Sequence, residues 1–325
     1  MAIMRPVSGL DRHALRNRWQ RLIRTVARMF GRLRLLLQKL KVGRMSFQQE
    51  GFLSPDMAKH ISSIREAQAG WFELIQTLNR LSQKIILTQR EIKSAHGFSD
   101  YRVVGLLYFT RATSSFQGAT LLVERGMLVE ANTLVRSLIE TVWVLAGLTK
   151  DKQEFVKQLG SADYAERVAA GNWYMNTPSV TEHVSAENME KMKAFIVKSQ
   201  EGDVPLQKLI LQNVASDTGL SELYAIYRHL SHHFAHPSLT AAAAFTVKGP
   251  SPEDKGIFWS PEYGLQSVGT TLGYMCTAMI GATLTINDII VTDGVAAALS
   301  KAFDTYKHLV PEPGYDKSQD SLVPL

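Results

Sequence analysis

Four of the nine histidines of this 325-residue chain fall within eight residues, in the run Tyr227-Arg228-His229-Leu230-Ser231-His232-His233-Phe234-Ala235-His236-Pro237. On a helical wheel Leu223, Ile226, Tyr227, Leu230 and Phe234 make a core stripe, and His229, His232, His233 and His236 share an arc about 100° wide beside it. Imidazoles three and four apart can ligate zinc, but this run holds no carboxylate, and Pro237 unwinds the helix beside His236. No metal or other cofactor is therefore expected. A second chemistry fits better. Cleaving RNA without metal needs a base for the 2′-hydroxyl proton and a cation for the charge on the phosphorane. Imidazole titrates near neutrality and guanidinium grips phosphate through parallel N–H donors, which makes Arg228 with His233 or His236 the candidate catalytic pair. On a straight helix Arg228 and His233 are about 140° apart, so they meet one phosphate only across a homodimer interface or where the helix is distorted near Pro237.

The second candidate is Arg136-Ser137-Leu138-Ile139-Glu140, where two opposite charges share a helix face amid Leu134, Val135, Val142, Trp143 and Val144. Charges in such surroundings must pair with each other or face a polar cavity. Arg before Glu is the less favourable order for an intrahelical pair, which leaves open that Arg136 points into a pocket shared with other polar groups. Arg136 and Glu140 are accordingly residues expected to support a site.

Arg228-x-x-x-x-His233, with polar His229 after the arginine, resembles the R-x4-6-H signature of HEPN domains. These are helical nucleotide-binding bundles that include metal-independent ribonucleases of the toxin and phage-defence kind. The wider arrangement, R-S-L-I-E and then Y-R-x-L-S-x-x-x-x-H-P some ninety residues on, resembles a bacterial all-helical family known only as a domain of unknown function, the one numbered 5677. Over roughly residues 100–290, Arg136, Glu140, Tyr227, Ser231, His236 and Pro237 stand at the matching places. The resemblance implies an all-helical fold and one shared polar site. It implies no activity, and it gives more weight to His236 and Ser231 than to His233.

The elements that must position these groups read as helices almost throughout. Ser54-Pro55 predicts a capped helix start, with a single helix reaching Thr88 on a stripe from Ile61 and Ile64 through Trp71, Ile75, Leu78, Leu81 and Ile85. Ser99 is the expected cap of a helix over 100–124, ended at Arg125-Gly126, and the next runs over 128–149. Residues 151–217 are more polar and interrupted by Pro178 and Pro205, which predicts shorter helices, one of them over 185–199. A helix over 221–236 stops at Pro237. Pro250, Pro252 and Pro261 with Gly249 and Gly256 make 245–261 an irregular insertion, with a short hairpin of Phe245-Thr246-Val247 against Ile257-Phe258-Trp259. Helices over 264–291 and 294–308 follow. The expected fold is all-α: a multi-helix bundle over 46–310, preceded by a basic amphipathic segment over 1–45 and followed by a flexible tail over 311–325.

Composition limits what this bundle can be. An apolar share of 45% and a charged share of 20% suit a folded globular protein. The one cysteine, Cys276, rules out an intramolecular disulfide framework and a cysteine zinc cluster, and points to a reducing compartment, the cytoplasm. Residues 1–45 hold twelve Lys/Arg against Asp11 alone, a surplus of eleven; with +6 for the whole chain, residues 46–325 are net −5. The basic pI thus belongs to the leader. Its apolar residues, Leu15 to Leu40, recur at helical spacing between arginines, a pattern that suits contact with an anionic membrane surface, a nucleic acid or a partner protein. Residues 268–286 are long enough to span a bilayer, but their five threonines and three glycines favour a buried core helix. The chain shows no P-loop, G-x-S-x-G or H-E-x-x-H. Two functions fit what remains: a HEPN-like protein that binds or cleaves RNA, and a non-catalytic scaffold or sensor with a buried Arg/Glu/Tyr/His network.

Overall fold

The structure, a computed structural model, describes residues 49–200, 207–243, 245–247, 258–259 and 268–310. The basic leader and the tail read from the sequence lie outside the described residues. Among those described, eleven α-helices and one two-stranded ladder occur, an all-α bundle as the sequence predicts. Contacts divide the chain into two units at Ser62/Ser63. The first holds a 3-10 turn, Gly51–Leu53, and the start of helix α1, Met57–Ala67. Everything below concerns the second.

Its core is built from α2 (Ala69–Thr88), α3 (Tyr101–Glu124), the first half of α4 (Leu128–Met175), α10 (Val268–Ile289) and α11 (Val295–Leu309). The buried stripe of α2, Trp71, Phe72, Leu74, Ile75, Leu78, Leu81 and Ile85, follows the helical period read from the sequence. In α3 and α4 the fully buried Phe109, Phe116, Leu138, Val142, Trp143 and Leu145 pack against Leu272, Met275, Met279 and Ile286 of α10 in the same core. Each such side chain contributes about 1.5–3 kcal/mol by leaving water. The uncharged run 268–286 is therefore a core helix, and among the described residues no helix is long and apolar enough to cross a membrane.

Several boundaries differ from the sequence expectations, each for a local reason. The helix expected to be continuous to Thr88 bends at Gln68 (φ −122°, ψ 30°), and α2 restarts beside Gly70, whose missing side chain admits Leu309 of α11. Ser54 stands before a turn, accepting from the Asp56 amide at 3.2 Å, and the helix itself begins at Met57. Asp100, not Ser99, caps α3: its carboxylate accepts from the Arg102 amide at 2.9 Å and from the Arg102 side chain at 3.1 and 2.7 Å. Those bonds to Arg102 hold the Asp100 carboxyl well below the usual carboxylate range against the opposing effect of burial.

Helix α4 breaks close to the end expected near Thr149: a kink at Lys152, the one described non-glycine residue with positive φ (45°, ψ −116°), separates the expected helix from a second helical stretch that runs on to Met175. Backbone in that region stores on the order of 1–3 kcal/mol, so the surroundings must impose it. They do so through Phe155, which turns back after the kink, is 2% exposed, and lies over Gly147; a Cβ there would sit 2.3 Å from the ring. Beyond α4 come the single turn α5 (Pro178–Thr181), α6 (Ala186–Gln200), α7 (Leu211–Asp217) and α8 (Ser221–Leu230). A five-residue π-turn, Ser231–Ala235, then α9 (Leu239–Ala243), carry the chain on. The short hairpin expected from the sequence is present as β1 (Thr246–Val247) and β2 (Phe258–Trp259), antiparallel, with Thr246 opposite Trp259.

The contact at Gly147 predicts that Gly147→Ala overpacks the kink by about 1–3 kcal/mol and lowers the melting temperature by roughly 5 °C. Gly160→Ala, a site in the same helix with nothing within 4 Å of the new methyl group, should leave melting unchanged or raise it slightly. Equal shifts for both variants would show that Phe155 does not hold the kink.

Candidate functional site

Arg136 lies on the first half of α4 with its side chain 23% exposed, and ties that helix to α8 and the π-turn. Its Nε donates to Ser231 Oγ at 2.9 Å and its Nη2 donates to the Tyr227 hydroxyl at 2.9 Å. The same Nη2 is 3.0 Å from Glu140 Oε1, and the Tyr227 hydroxyl donates to that oxygen at 3.1 Å. One carboxylate oxygen, one phenol and one hydroxyl thus enclose one guanidinium. Its central carbon also stands 5.0 Å from the centre of the Tyr227 ring, within cation–π range. The pairing of Arg136 with Glu140 runs against the less favourable residue order because Tyr227 and Ser231 hold the guanidinium on that side of the helix.

Tyr227 is fixed in turn by aromatic packing. Its ring meets Trp143 at 5.0 Å, edge to face, and stacks on Tyr224 at 5.9 Å. Trp143 is completely buried, and its indole N–H has no hydrogen-bond partner. It stands seven residues after Arg136, hence on the same face of α4.

The histidines occupy a separate place. The helix expected to continue to His236 ends at Leu230, and the backbone widens into the π-turn before His236 adopts an extended conformation (φ −104°, ψ 139°). Pro237 accounts for this, since it has no amide hydrogen and restricts the residue before it. The His229 and His233 rings lie 4.5 Å apart and those of His232 and His233 5.0 Å apart; His229 also meets the Tyr274 ring of α10 edge-on at 6.4 Å. Desolvation of its packed face, followed by the nearby charge of His233 and His232, pushes His229 below its ordinary imidazole value; desolvation and then His232 do the same to His233, which favours the neutral form of both.

Of the residues singled out from the sequence, Arg136, Glu140, Tyr227 and Ser231 meet in one network, and His229 and His233 in a second cluster. Arg228 is exposed at the end of α8 and makes no hydrogen bond or ion pair among the described residues; His236 is exposed beyond the turn. Among the described residues no hydrogen bond joins the imidazoles to Arg136. A cleft of about 400 Å³ lies elsewhere, lined in part by Thr149, Lys150, Asp217, Thr218, Thr285 and Asp288. Among the described residues no group of three or more His, Cys, Asp or Glu is placed to hold a metal ion. Tyr274 was not legible from the sequence, because it comes from a helix some forty residues later.

Two consequences can be measured. Arg136→Ala leaves Glu140 and Tyr227 without their cation and should lower stability by about 2–3 kcal/mol, more than Tyr227→Phe at about 1 kcal/mol. In thermal melts, a smaller loss for Arg136→Ala would refute the central role of the guanidinium. The lowered imidazoles add an acid-side effect. Unfolded histidines take up protons near pH 6.5 and the folded pair only at lower pH, so their stabilisation is complete above about 6.5 and is lost as pH falls toward the folded values. His229→Gln should flatten the decline in melting temperature between pH 7 and pH 5.5.

No curated protein and no solved structure matches the chain. Residues 102–253, a little under half of it, hold both the Arg136 network and the histidine cluster, and this span matches the model of a family described as a family of unknown function (DUF5677).

Proposed function

We propose that the protein is a HEPN-like, metal-independent RNA-binding and RNA-cleaving protein whose acting groups are carried by the end of α8 and the π-turn. The carrying observation is that Arg228, exposed and without an ionic partner among the described residues, is followed by His229 and His233, whose imidazoles are shifted toward the neutral form. In this reading His233, or His236, takes the proton from a 2′-hydroxyl. The freed oxygen attacks the adjacent phosphorus, Arg228 stabilises the phosphorane charge, and the 5′-oxygen leaves with a proton from a protonated imidazole. The products are a 2′,3′-cyclic phosphate and a 5′-hydroxyl. Arg136, Glu140, Tyr227 and Ser231 act as the frame that orients the turn, with His229 supporting His233. Where Arg228 and His233 of one copy do not reach the same phosphate, a homodimer supplies the second member.

A second reading, a non-catalytic scaffold or sensor, is favoured by one observation: Arg136 spends its Nε and Nη2 donors on partners within the protein. The two readings part in a single assay. Purified protein is incubated with total RNA in EDTA beside Arg228→Ala, His233→Ala and His236→Ala, each checked for unchanged melting. Cleavage by the wild type, reduced on the order of a hundredfold or more by Arg228→Ala and by at least one histidine variant, supports the enzyme. No cleavage, or equal cleavage by all four proteins, overturns it and leaves the scaffold.

A further inference from the structure

Three imidazoles packed on one turn beside an exposed arginine raise a question of charge that the cleavage reading does not answer. The ring centres of His229 and His233 lie 4.5 Å apart and those of His232 and His233 5.0 Å apart, so a positive charge on one ring disfavours a second on its neighbour. The charges around them are few. Along their own element stand Arg228, which is exposed, His236 beyond the turn, and Glu222, seven residues before His229 and about 10 Å away in helical rise. From α4 come Arg136 and Glu140, already paired with each other at 3.0 Å. The five residues of α9, Leu239–Ala243, hold no ionisable group, and α10 contributes the Tyr274 phenol. Glu130 also stands on α4, one turn before Thr133, whose hydroxyl reaches the Phe234 carbonyl at 3.5 Å, and among the described residues no hydrogen bond or ion pair joins a carboxylate to the imidazoles.

We propose that the His229–His232–His233 cluster is a proton-linked anion site, in which a phosphodiester bound at Arg228 draws a proton onto the imidazoles as it binds. This rests on the RNA reading and adds its regulation. The missing counter-charge is what a phosphate brings, so the bound anion favours the charged form of the cluster that the free protein disfavours. By linkage, whatever raises proton affinity on binding must make binding tighter at lower pH. The depressed titration of His229 and His233 agrees with this geometry. Binding then tightens steadily as pH falls, whereas cleavage, which needs one neutral imidazole as base and a protonated one as acid, passes through a maximum and declines once the base is charged.

The test uses the full-length protein and a fluorescein-labelled 12-mer of 2′-O-methyluridine, which cannot be cut because the attacking hydroxyl is blocked, and whose bases do not titrate in this range. Anisotropy in EDTA at constant ionic strength gives Kd from pH 7.5 to 5.5. The wild type should bind more tightly as pH falls, with a slope approaching tenfold per pH unit for one proton taken up. His229→Gln should flatten that slope, and titration calorimetry of the wild type in two buffers of different ionisation heat should count the proton directly, independent of any variant. Binding with a flat pH profile and no proton uptake would overturn the proton link alone and leave the RNA reading standing. A slope unchanged in both His229→Gln and His232→Gln would place the proton elsewhere and also overturn it. No binding at any pH would remove both.

Discussion

A guanidinium taken three-quarters out of water needs an opposite charge and acceptors in the right directions, since an ion left without them costs several kcal/mol. Arg136 finds them only if α8 and the turn after it lie against α4, because Tyr227 and Ser231 are about ninety residues away in the chain. The requirement works as a register. Tyr227 must present its hydroxyl to both Arg136 and Glu140, at 2.9 and 3.1 Å, while Ser231 takes the remaining Nε at 2.9 Å. A helix slipped by one residue would leave a carboxylate and a guanidinium half-solvated with a phenol between them. This network fixes where the histidines can be.

What the network holds is an irregular piece of backbone. Ser231 is both the first residue of the π-turn and a partner of Arg136, so the widening begins at the anchored point. Pro237 ends it, and Ser238 then caps α9, accepting from the Ala241 amide at 3.1 Å. Wider turns of this kind within helices are frequent at functional sites because they re-aim side chains without unfolding the helix. Here the result is a close set of imidazoles beside an unpaired arginine, which is chemistry without an evident structural use.

The core explains how such a site is tolerated. Fully buried residues of α2, α3, α4 and α10 provide a rigid platform, and the irregular features sit at its edges: the kink at Lys152, held by Phe155 over Gly147, and the turn at Ser231. Strain is affordable where dense packing on one side leaves the backbone no alternative. Cys276 belongs to that platform, and burial pushes its thiol well above the usual range, which leaves it inert.

The helical periods by themselves determined the all-α class, the core stripe of α2, the buried nature of α10 and the stop at Pro237 of the helical run that begins with α8, since each depends on which residues recur every three or four positions and where proline stands. Pattern also marked Arg136 and Glu140, because a charge pair in an apolar helix has to be answered by polar groups elsewhere, and the resemblance to a helical family pointed to Tyr227 and Ser231. Contacts between distant segments decided the rest. Nothing local in Gln68 or Lys152 announces a bend; Leu309 against Gly70 and Phe155 against Gly147 impose it from a neighbouring element or the next turn. A helical wheel assumes one constant period, so it placed the histidines on an arc that the π-turn rearranged, and it could not foresee Tyr274 arriving beside them from α10. Periodicity is carried by neighbours in the chain, whereas the meeting of guanidinium, phenol and hydroxyl exists only once the helices have packed.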